Sequence, residues 1–204
     1  GLSVQLAAQA PADVPGDGTP VRIFVGKAGL PGALRLRSAP KMAPHVFRVA
    51  DLVNQAPYPL LPGTVDVLRR GQFLGRYPIE RVASGERFTL TFGIEEAVKI
   101  RRTLIEEAAR DRGLLGPTKR RRYGYRYEVA SYLPRPEEVE IAEHVPLSEV
   151  EDIRVGVDAR TSAGYQLRKE DGILSWRLPL RPSESRQLEL RYYVDVPSSY
   201  DAGD

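Results

Sequence analysis

The chain has 204 residues, with 30 basic and 27 acidic side chains, a net charge of +3 and 42% hydrophobic residues. That length and composition describe one or two folded domains, able to bury about 70% of the extended chain's surface without a metal or disulfide staple. The absence of cysteine excludes disulfides, thiol nucleophiles and thiolate metal sites, and no apolar run approaches the roughly 18 residues of a membrane span.

Strand patterns dominate in chain order. Leu2, Val4 and Leu6 alternate with polar or small residues, a proline-rich stretch over 11–20 carries the Gly16-Asp17-Gly18 turn, and Val21 to Val25 is rich in β-formers. Ala33 to Arg37 alternates leucine with arginine, as a strand with one wet face does. Pro40, Pro44, Pro57, Pro59 and Pro62 then exclude a long helix between 38 and 63. Strands are expected at 64–68, 72–76 and 87–92, the first two joined by Arg69-Arg70-Gly71 with glycine where a hairpin needs positive φ.

From Ile94 to Arg112 the apolar residues fit a helix somewhat better than a strand. Beyond Gly113 the alternation is plain. Tyr123, Tyr125, Tyr127 and Val129 share one face, Val139 and Ile141 alternate with glutamates, and Ile153, Val155 and Val157 follow. Strands at 173–178 and 188–194 complete the pattern, and the chain from Ser198 reads as a frayed tail. Short strands at about ten-residue spacing indicate a β-sandwich.

A series of phrases in fixed order resembles a known family. They include Val14-Pro15-Gly16-Asp17-Gly18-Thr19, Ser38-Ala39-Pro40-Lys41, Phe47-Arg48-Val49-Ala50, Leu60-Leu61-Pro62-Gly63 and Phe73-Leu74-Gly75-Arg76. Gly85-Glu86-Arg87-Phe88, Phe92-Gly93, Tyr127-Glu128-Val129, His144-Val145-Pro146, Gly172-Ile173-Leu174-Ser175-Trp176 and Tyr193-Val194 continue it. Together they are similar to the C-terminal domain, of unknown function, of the bacterial mucoidy inhibitor A family. The resemblance implies that 97–105 is a strand pairing with 121–130, leaving 106–112 open to a helical turn. It also implies a parent protein with an N-terminal domain and a coiled-coil segment, placed in the bacterial cell envelope or periplasm.

Few residues suggest chemistry. Lys119, Arg120, Arg121, Arg122 and Arg126, interleaved with Tyr123 and Tyr125, are the candidate polyanion-binding residues. The plainer reading packs the tyrosines inward and leaves the arginines on a solvated face. His45 and His144 lack metal-ligand spacing, and no serine sits in a Gly-x-Ser-x-Gly elbow. The glutamates around Val139 and Ile141 read as the outward face of a strand, Asp17 as a turn residue, and Trp176 and Tyr192 as core, with Tyr193 on the opposite face.

The resulting expectation is an all-β chain of two β-sandwich-like lobes, 1–95 and 96–204, the second immunoglobulin-like. It is expected to be no enzyme, to hold no cofactor or metal, and to bind a protein partner in the cell envelope. The alternative is a carbohydrate- or polyanion-binding module linked to exopolysaccharide. A charge surplus of only three gives little support for nucleic acid, which needs cations gathered on one face.

Overall fold

The computed structural model describes residues 5–8, 10–111, 118–197 and 200. Among these there is no α-helix, and so none long and apolar enough to cross a membrane. The expected all-β class holds. The strands are β1 (Gly32–Ser38), β2 (Phe47–Val53), β3 (Gly63–Arg69), β4 (Gln72–Ile79), β5 (Arg87–Ile94), β6 (Val98–Asp111), β7 (Thr118–Ser131), β8 (Glu137–His144), β9 (Arg154–Val157), β10 (Tyr165–Arg168), β11 (Ile173–Leu180) and β12 (Ser185–Pro197).

The chain divides into two units, one of residues 1–34 and 49–92, the other of 35–48 and 93–204. In the first, β3 and β4 form a hairpin whose turn places Arg70 at φ 52° and Gly71 at φ 80°. Both central residues of such a turn need positive φ, so the Arg-Gly signal found its target. Asn54, wholly buried, organises the loops of this unit. Its amide donates to the carbonyls of Tyr58, Val82 and Ala83, each at 3.1 Å, and its side-chain oxygen accepts from the Ala56 amide. The stretch from 21 to 25 makes no strand despite its β-formers, having no paired strand among the described residues, although Arg22 reaches Asp66 of β3. Leu2, Val4 and most of the tail from Ser198 lie outside the described residues.

The second unit is a two-sheet sandwich. One sheet has the order β10-β11-β8-β1 and the other β6-β7-β12-β9. β1 runs parallel to β8, Leu36 opposite Val139, whereas the other pairings are antiparallel. Alternation points Leu36, Val139, Ile141, Leu174, Trp176 and Leu178 inward from the first sheet. Val98, Ile100, Tyr127, Val129, Leu188 and Leu190 meet them from the second. The Tyr127 and Trp176 rings meet across the core at 5.9 Å. Burial of these alternate positions is what holds the register, since a one-residue slip would turn each set outward.

The ambiguous stretch turns at 95–97 and is strand from Val98 to Asp111. β6 continues to Asp111, so 106–111 is paired with β7 and not helical, with one bulge at Ile105. Fourteen residues of partnered backbone outweigh a helix that would bury one narrow stripe. Two strands escaped the sequence pattern: β2, within the proline-rich stretch, and the short β10.

Candidate functional site

The outer face of the sheet β6-β7-β12-β9 carries arginines and carboxylates from β6, β7 and β12. β7 alternates strictly, so Arg120, Arg122 and Arg126 face outward while Lys119 and Arg121 share the inward side with the tyrosines. The candidate polyanion residues therefore do not form one cluster. Tyr127 is wholly buried, whereas Tyr123 and Tyr125 are half-buried, with Tyr192 stacked between them at 5.1 and 6.3 Å.

Two of these outward arginines, Arg120 and Arg126, are matched by cross-strand acids, whereas Arg122 lies opposite Tyr193. Arg120 lies opposite Asp195 and holds it through two hydrogen bonds of 2.6 Å, with its guanidinium 3.7 Å from the centre of the Tyr193 ring. Gly156 of β9 makes room for that ring, since a Cβ there would stand 2.5 Å from it. Arg126 donates to Glu189 at 3.0 Å, Glu189 also accepts from Arg191 at 2.8 Å, and Arg191 reaches Glu106. The Arg191 and Arg126 contacts hold the Glu189 carboxyl below its usual range. At the β9 edge, hydrogen bonds from the Arg160 side chain and amide hold Asp158 down to about 2.

Beyond Arg126 the pattern changes. The next rows across the strands are Arg101, Glu128 and Gln187, then Lys99, Ala130 and Ser185. The small side chains of Ala130 and Ser185 let the face dip, and a concavity of about 720 Å³ opens there, rimmed by Lys99, Arg101, Glu128, Gln187 and the 66% exposed Tyr132. Among the described residues, Lys99 and Arg101 make no ion pair. Sequence reasoning passed over both. Their signal was present, as cations at alternate positions on the wet side of a strand whose other side holds Val98 and Ile100.

On the inner face, a polar group sits where alternation calls for apolar residues. Glu143 shares the inward side of β8 with Val139 and Ile141, and only 1% of its side chain is exposed. This corrects its reading as an outward glutamate, which holds for Glu138 and Glu140. Burial raises the Glu143 carboxyl above its usual range, opposed by the Arg102 charge 3.1 Å away. Arg102 also lies 3.7 Å over the Tyr125 ring. The buried Tyr127 hydroxyl stands near both charged groups without a hydrogen bond to either, and burial raises its pKa. Arg48, 6% exposed, is a second such case, held between Glu95 at 2.6 Å and Glu137 at 3.0 Å.

The remaining candidates lie apart from the outer face. Asp17 accepts the Thr19 amide in a turn. His45 meets Phe47 edge-on and its carbonyl accepts the Ser38 hydroxyl, while His144 is exposed. Trp176 is buried and donates its indole N–H to the Ser162 carbonyl. Among the described residues no three His, Asp or Glu side chains are grouped to hold a metal.

A family model described as a domain of unknown function, DUF4139, matches residues 1–198. Among curated proteins, the chain is similar to Protein F37C4.5 of Caenorhabditis elegans, at 20% identity over 191 residues. That match covers 87% of this chain and 34% of the nematode protein, so the chain spans about a third of that relative's length.

Proposed function

Because the chain belongs to the DUF4139 family, whose description carries no activity, we propose a role from its surface: a non-catalytic binding module of a larger protein, contacting a protein partner through the outer face of β6-β7-β12-β9. One observation carries this reading. Arg120 and Arg126 of β7 and Arg191 of β12 are tied into Arg–carboxylate pairs, whereas Lys99 and Arg101, among the described residues, stand without an ion pair at the rim of the concavity. Paired surface charges contribute little further attraction, and unpaired ones at a dip attract an acidic group. The absence of cysteine and of a nucleophile elbow supports the non-catalytic part of the reading. The resemblance to the mucoidy inhibitor A family supports a parent protein in the bacterial envelope.

A second reading, an acidic polysaccharide, is supported by Tyr132, whose exposed ring beside two cations could stack on a sugar. Retention on immobilised polyglutamate and on polygalacturonate separates the two. The protein-partner reading expects retention on polyglutamate that falls in Lys99→Glu/Arg101→Glu. Retention on polygalacturonate alone transfers the proposal to the glycan. Retention on neither, or retention that the double variant leaves unchanged, overturns the use of this face.

A further inference from the structure

The concavity is bounded on one side by an unpaired sheet edge. β6 ends the order β6-β7-β12-β9, so among the described residues its side away from β7 has no strand beside it in that sheet. The Val98 amide there turns back to the Glu95 carbonyl at 3.1 Å, leaving the edge open from Ile100. Free edges present a row of unpaired amides and carbonyls, and proteins that do not use them keep them short, bulged or broken by proline. The edge strands β9 and β10 follow that rule at four residues each. β6 does not, because Val98 to Leu104 runs for seven residues before its bulge, with no proline.

The side chains of this stretch say what the edge would accept. Lys99, Arg101 and Thr103 are exposed on the outer side, and Leu104 is 48% exposed on the inner side. A second copy of β6 laid against the first would bring like charges to within about 5 Å across the pairing, which is unfavourable. An acidic strand would put carboxylates at the same distance from Lys99 and Arg101, with its alternate apolar residues facing Leu104. Backbone pairing then supplies affinity, and alternate side chains supply selectivity.

We propose that the free edge of β6, over Ile100–Leu104, docks an extended acidic segment of a protein partner as an added strand. This rests on the outer-face reading above and adds the backbone as the recognised element. The test is nuclear magnetic resonance of the ¹⁵N-labelled chain with the capped peptide (Glu-Val)₄ and with the same peptide N-methylated on alternate residues.

The expected result is shifts concentrated on 98–104, slowed exchange of alternate amides from Ile100 on, and no binding of the N-methylated peptide. Lys99→Glu/Arg101→Glu is expected to weaken the unmethylated peptide about tenfold, from the loss and reversal of two exposed ion pairs. Equal binding of both peptides, or binding without amide protection, overturns strand addition and leaves the outer-face reading standing. Shifts at Lys99 and Arg101 with polygalacturonate and not with peptide overturn it in favour of the glycan. No shift at these residues with any of the three probes overturns both proposals.

Discussion

Replacing Arg102 by Met removes the charge that faces a carboxylate sealed inside the second unit. The Glu143 side chain is 1% exposed and Arg102 23%, at 3.1 Å. At an effective dielectric constant of about 20, that separation corresponds to about 5 kcal/mol of gross attraction. Breaking such a pair by removing one member costs about 3–5 kcal/mol, because the other charge is left buried. The partial hydration of Arg102 argues for the lower end, and loss of its contact with the Tyr125 ring adds back about 0.5 kcal/mol. Arg102→Met is therefore expected to lose about 3–4 kcal/mol in guanidinium unfolding at pH 7. Replacing both residues, as Arg102→Met/Glu143→Leu, is expected to recover most of it. The pH dependence follows from the raised Glu143 carboxyl. The folded chain holds that proton to higher pH than the unfolded chain, so ionising it costs stability as pH rises above the unfolded carboxyl range. Without Arg102 the folded pKa climbs further, and the deficit shrinks as pH falls from 7 to 5. A loss below about 1 kcal/mol, a double variant no better than the single, or a deficit unchanged with pH would refute the reasoning.

Tyr127→Phe removes a buried hydroxyl that makes no hydrogen bond, and should raise the unfolding free energy by about 1 kcal/mol; a loss of similar size would mean that the hydroxyl is bonded. Gly156→Val drives a Cβ into the Tyr193 ring and displaces the surface on which Arg120 rests. It should cost about 2–3 kcal/mol, with partial rescue by Tyr193→Ser, and no rescue would place the strain elsewhere. Asn54→Ala takes the side-chain bond from the Tyr58 carbonyl and the Ala56 amide of the first unit, while the Val82 and Ala83 carbonyls keep the Leu60 and Glu86 amides. About 3 kcal/mol should be lost, with hydrogen exchange accelerating within 49–92 while the sandwich core of the second unit keeps its protection.

Strands with strict alternation and a buried side were legible in the sequence. β7, β11 and β12 appear close to where their tyrosines, leucines and tryptophan place them. The failures share a physical cause, in that periodicity reports a face and not a partner. Val21 to Val25 has the composition of a strand but no paired strand among the described residues, and β2 pairs despite its proline-rich setting. Glu143 has the inward parity of Val139 and Ile141, and its charge alone suggested the outward face. The dip beside Lys99 and Arg101 depends on Ala130 lying opposite Lys99 and Ser185 opposite Ala130, pairings between residues far apart in the chain.

The division of the chain also bears on how the protein could be cut. Backbone passes between the two units at 34/35, at 48/49 and at 92/93. A single protease nick at 92/93 would leave each fragment holding part of the sandwich, since residues 36–38 of β1 would remain hydrogen-bonded beside β8. The halves of such a nicked chain are expected to co-migrate until denatured. A recombinant piece beginning at 96 would instead expose the β8 edge that β1 normally occupies. Fragment boundaries drawn at linear positions would thus manufacture an adhesive surface that the intact chain does not have.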